Sequence, residues 1–110
     1  MSFEKNTIKN IDELIERELR NANSKYPLFS SEHEGYAVIL EEYEETKYNI
    51  ELADRTLENI WENIKTNSHD VVVKGIVTLK TEMQMLIAEA IQTAAMCDKM
   101  IMSMEKIEKE

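Results

Sequence analysis

An all-α fold is what this sequence predicts, and three observations carry the expectation. Only 2 glycines and 1 proline occur among 110 residues, so turns are few and secondary structure comes in long pieces. Apolar residues recur at steps of three and four through most of the chain, the period of an amphipathic helix. Hydrophobic residues make up 43% and aromatics only 6%, with 7 methionines, a balance that favours helix over strand and excludes a disordered acidic tail. At this length a single domain over residues 1–110 is expected, burying roughly two-thirds of its unfolded surface.

The first helix is read over residues 1–25, where Ile8, Ile11, Leu14, Ile15 and Leu19 form one apolar stripe among charges. It stops in NANSKYPLFSS, because Pro27 and the Asn/Ser cluster break the pattern. Ser30 or Ser31 then offers a cap, and Glu34, three residues after Ser31, completes a capping box for a long helix over 33–66. Within it Tyr36, Tyr43, Ile50, Leu57 and Ile64 fall seven apart, with Ile39, Thr46, Ala53 and Ile60 between them. With Tyr43 as position a this is an a/d heptad, flanked by Trp61. KTNSHD breaks the run, and Ser68 or Asp70 caps a third helix over 70–108.

That last helix carries two stripes. Val72, Ile76, Leu79, Met83, Leu86, Ala90, Thr93, Cys97, Met100 and Met104 make one; Val73, Val77, Ile87, Ile91, Ala94 and Ile101 make the other. A helix apolar over so much of its circumference needs more than one neighbour. The expected architecture is a short N-terminal helix plus a long antiparallel helical hairpin, the bundle being completed by a homodimer or homotetramer. Cys97, the single cysteine, is expected to be a small core residue, and no disulfide can form within the chain.

The formal net charge of −9 argues against nucleic acid, since no basic patch is available to displace counterions, and against anionic membrane surfaces. No signal peptide and no apolar run near ~20 residues is visible, so a cytoplasmic protein is expected. The acidity is not evenly spread. HEGYAVILEEYEE places four glutamates, Glu41, Glu42, Glu44 and Glu45, in five positions beside an unbroken apolar run. Like charges at helical spacing repel by a few tenths of a kcal/mol per pair. Either this is a solvated face or something positive sits there.

On the heptad frame Glu42 is g and Glu45 is c, while Glu89 and Gln92 occupy the same two positions on the last helix. Facing helices would thus bring three carboxylates and an amide oxygen to the edge of the core. Mg²⁺ or Mn²⁺ suits such a set, because hard cations take oxygen ligands. The cation would also bridge the phosphate oxygens of a ligand, a polyphosphate that a chain at −9 otherwise repels. Two further groups of candidates flank the acidic helix. His33 and Glu34 open it, at an N-terminus that favours anions. Tyr26, Phe29 and Tyr36 surround the Pro27 loop, where they could stack on a base or staple the loop to the bundle. His69 reads as a surface residue, and no second histidine stands at zinc-ligand spacing.

At Glu42-x-x-Glu45 within LEEYEE and Glu89-x-x-Gln92 within AEAIQTAAM, the sequence resembles the MazG-like all-α nucleoside triphosphate pyrophosphohydrolases, over roughly residues 26–101. The wording around both motifs is similar to a branch of small MazG-like proteins of phages and their bacterial hosts. The resemblance implies a helical Mg²⁺ enzyme that cleaves a nucleoside triphosphate between the α and β phosphates. It implies metal ligation by Glu42, Glu45, Glu89 and Gln92, with Glu41 as an outer-shell base. Gln92 stands where the family has aspartate, a neutral oxygen in place of an anionic ligand. The alternative is therefore a protein of the same fold that sequesters a nucleotide without cleaving it, or a purely structural acidic bundle.

Overall fold

The computed structural model describes residues 4–110, and among them three helices and no strand occur. These are α1 (Lys5–Lys25), α2 (Glu32–Lys65) and α3 (His69–Lys109), of 21, 34 and 41 residues. Residues 1–3 of the expected first helix lie outside the described residues. No helix among the described residues is long and apolar enough to cross a membrane.

Local chemistry accounts for each end. Tyr26 closes α1 in extended backbone, its N–H donating to the Ala22 carbonyl, and Pro27 follows. At the start of α2 the Glu34 N–H donates to Ser31 Oγ at 3.1 Å, one half of the capping box. The Glu34 carboxylate turns instead to Ser30, accepting its hydroxyl at 2.7 Å. Beyond Lys65, Asn67 adopts φ 56°, a left-handed conformation that asparagine tolerates better than most residues. Its N–H donates to the Ile64 carbonyl and the Ser68 N–H to the Asn63 carbonyl, a Schellman closure that satisfies two end carbonyls of α2.

Contacts divide the chain into two compact units. One comprises the chain up to Tyr43 together with Ala90–Glu110: α1, the loop after it, the start of α2 and the end of α3. Its buried residues include Phe29, Ala95, Lys99 and Ser103. Ala95, Lys99 and Ser103 fall four apart, so they share one line on α3, and small side chains there let neighbours approach. Gly35 shows how closely: a β-carbon in its place would run into the Met100 sulfur, with the Phe29 ring 3.1 Å away. Ser103 ties the loop down. Its hydroxyl accepts the Phe29 N–H at 2.9 Å and donates to the Lys99 carbonyl at 2.7 Å, and it is fully buried. Each such bond contributes roughly 0.5–1.5 kcal/mol net.

The second unit is Glu44–Glu89, the remainder of α2 and α3, with Ala53 and Ile60 buried. A β-carbon at Gly75 would stand 2.7 Å from Ile60 Cγ1, so the two helices pack closely there. Only one edge of the expected seam is buried. Ala53 and Ile60 of the d line are inside, but the a line of Tyr36, Tyr43, Ile50, Leu57 and Ile64 is exposed, Leu57 to 51%. Along Glu44–Glu89 each helix has a single neighbour within the chain, and one neighbour covers only part of a helix. The second stripe of α3 is likewise open at Val73, Val77 and Ile87. Cys97 corrects the sequence expectation: it is exposed rather than a core residue, one helical position off the line of Met96 and Lys99.

Candidate functional site

The acidic run lies in the middle of α2, where i,i+3 spacing sets Glu42 and Glu45 one turn apart on a common face. Glu42 and Glu89 are half-buried and Glu45 is exposed. Glu45 and Glu89, both in the second unit, each offer a carboxylate oxygen, and these oxygens lie within 4.8 Å of each other, with Glu42 one turn before Glu45 on α2. Cis oxygens of an octahedral Mg²⁺ at ~2.1 Å are about 3.0 Å apart, so oxygens as far apart as 4.8 Å would have to approach by well over an ångström to share an ion. All-oxygen, anionic donors match Mg²⁺ or Mn²⁺ and not zinc or copper.

Wholly within the unit formed by the two chain ends is a cleft of about 620 Å³. That is within the usual range for small-molecule sites. Tyr26, Phe29, Glu34, Glu41, Glu42 and Gln92 all contribute to its walls. Six candidates named from sequence thus meet in one cavity. Helical geometry explains the grouping on α2: Glu34, Val38 and Glu41 fall at steps of four and three and share a face. His33 and Tyr36 stand about 100° and 200° around the helix from Glu34. Both are exposed, and neither is among the cleft's lining residues. Glu45 is also outside the lining, as is Glu89.

The cleft's most unusual member went unnoticed in the sequence. Lys99 is 3% exposed, an uncommon state for a lysine. It lines the cavity with Met96 and Gln92, one and two turns before it on α3. Its Nζ sits 5.1 Å from the centroid of the Phe29 ring, within range of a cation–π contact. Burial pushes the ammonium's pKa below its ordinary value, and the Glu34 carboxylate opposes part of that shift. A signal was available: Lys99 interrupts an apolar run, MCDKMIM, on the line that Ala95 and Ser103 keep small. The remaining charges on the cleft wall are Glu18 and Lys25, both from α1.

The cavity therefore has an acidic end, with Glu41, Glu42 and Gln92, and an aromatic end, with Tyr26 and Phe29 about a buried cation. By the rise of 1.5 Å per residue, Gln92 and Lys99 are separated by about 10 Å along α3. Compared with known protein families, curated proteins and solved structures, the chain matches no family model, no curated protein and no solved structure.

Proposed function

We propose that this chain is a Mg²⁺- or Mn²⁺-dependent nucleotide pyrophosphohydrolase acting on a nucleoside triphosphate or a related nucleotide. The observation that carries the proposal is the meeting of the Glu45 and Glu89 carboxylates within 4.8 Å, with Glu42 one turn before Glu45 on α2 and facing a cleft large enough for a nucleotide. A bound divalent cation supplies neutralisation of phosphate charge and a more acidic water. Glu42, Glu45 and Glu89 would hold it, and the Gln92 amide oxygen would add a neutral ligand or orient water. Glu41, exposed on the cleft wall, can accept the proton of the attacking water. The water oxygen bonds to the α-phosphorus and the bond to the α–β bridging oxygen breaks, giving a nucleoside monophosphate and pyrophosphate. Cation binding also explains how a chain of net charge −9 accommodates a polyphosphate. Incubation with a panel of NTPs and dNTPs in MgCl₂ or MnCl₂ should release pyrophosphate; no turnover of any of them rejects the proposal.

One observation favours a second reading, capture of a nucleotide without hydrolysis. Gln92 puts a neutral oxygen where a fourth carboxylate would tighten the cation, and tight calorimetric binding with no product would select that reading.

The arrangement of the long helices belongs to the same proposal. A link of only residues 66–68 and the approach of Ile60 to Gly75 support an antiparallel hairpin of α2 and α3. The exposed Ile50, Leu57, Trp61 and Ile64 on α2, with Val73, Val77 and Ile87 on α3, support its burial against a second copy in a homodimer or homotetramer. Sedimentation at micromolar concentration should therefore show a multimer, and a monomer there would remove this part of the proposal.

A further inference from the structure

We propose that Lys99 reads the base of the bound nucleotide, and that it selects a base whose exocyclic group at the cleft floor is a carbonyl oxygen over one bearing an amino group there. The inference rests on the nucleotide reading above and adds the substrate class: keto bases such as uracil, thymine, guanine or hypoxanthine.

The argument starts from where each group stands. With phosphates at the acidic end, about 10 Å along α3 brings a ligand's other end to Lys99. That end has little to offer a second phosphate, because the carboxylates of Glu34 and Glu18 share the cavity with the ammonium groups of Lys99 and Lys25, and Phe29 backs it. It suits a flat, neutral ring. Phe29 is buried and fixed, its N–H held by Ser103, and Tyr26 at the mouth is 68% exposed and open to stack.

Lys99 is the floor. Its side chain is enclosed, and the Ser103 hydroxyl that holds Phe29 also bonds to the Lys99 carbonyl. Both groups are thereby tied to one anchor. Glu34 is at the rim: it is exposed, and Ser30 engages its Oε2. An ammonium can only donate hydrogen bonds and a carboxylate can only accept them. The exocyclic substituent protrudes furthest from a base and so meets the floor first. A carbonyl oxygen there accepts from Lys99, and the ring N–H beside it, on the same edge of the base, is a donor available to the Glu34 carboxylate. An amino group at the same place sets donor against donor and leaves the ammonium without that hydrogen bond.

The test uses base pairs that differ at this one group: inosine against adenosine, and uridine against cytidine. Binding of their non-hydrolysable α,β-methylene triphosphates is measured by calorimetry with MgCl₂. The wild type should prefer the keto member of each pair by about tenfold to a hundredfold, the range for a hydrogen bond to a charged group. Lys99→Met, which keeps the apolar stem and removes a buried charge, should bind both members alike. Equal wild-type affinities within a pair, or a preference that survives Lys99→Met, overturn the inference while leaving the nucleotide reading intact. Failure of every analogue to bind with Mg²⁺ overturns both. Should Lys99→Met not fold, the wild-type ratios decide alone.

Discussion

Replacing Glu42 and Glu89 together with glutamine is expected to lower nucleotide turnover by about a hundredfold or more while making the metal-free protein more stable. The two effects have one cause. Glu45 and Glu89, with carboxylate oxygens within 4.8 Å, and Glu42, one turn from Glu45 on the same helix, repel one another in the absence of a cation. At about 5 Å, two unit charges cost roughly 1 kcal/mol even where water screens them, and more where the site is half-buried. Glutamine keeps the shape and removes the repulsion, so the melting temperature in EDTA should rise. The same change removes two of three anionic ligands. Loss of groups that merely orient metal ligands already costs about 10–100-fold, so loss of the ligands themselves should exceed it. MgCl₂ should raise the melting temperature of the wild type in proportion to the logarithm of its concentration, and leave the variant unmoved. Turnover within tenfold of wild type, or an equal Mg²⁺ response in both proteins, would remove the metal centre. A stability gain with no wild-type Mg²⁺ response would mark the glutamates as a solvated acidic face.

Restoring a carboxylate by Gln92→Asp carries the second large effect, with the opposite sign. Gln92 is half-buried on the cleft wall, one turn beyond Glu89 on α3. Ligand charge is a principal control on divalent-cation affinity in oxygen sites. A fourth carboxylate should tighten Mg²⁺ by about tenfold or more and, where metal limits the reaction, raise turnover alongside. In EDTA the variant should melt below the wild type, because a like charge has joined the cluster. The aspartate side chain is one methylene shorter, so the gain depends on Gln92 lying close to the ion. Unchanged Mg²⁺ affinity would place Gln92 outside the metal shell. Turnover by the variant but not by the wild type would identify the natural protein as a capture protein, and turnover by both, faster in the variant, as an enzyme.

Three helices and the two breaks between them are decided by the sequence alone, because the information is local. Period-3.6 apolar stripes, Pro27, Ser31 with Glu34, and asparagine at the left-handed position after α2 each act within a few residues. The pairing of Glu42 with Glu45 is local in the same sense, since any helix sets i and i+3 side by side. Whether Glu89 joins them is not local: it requires two stretches more than forty residues apart to pack in one register. Only the tertiary structure decides that, because register is a sum over all the contacts of two helices. The same holds for which stripe is inside. Both lines of the α2 heptad are apolar, and the fold buries Ala53 and Ile60 while leaving Ile50 and Leu57 open, a choice set by how much surface one neighbouring helix can cover. Lys99 is the sharpest instance. A lone lysine near a chain end reads as solvated, and only the packing of Phe29 and Ser103 around it turns its charge into the floor of a cavity.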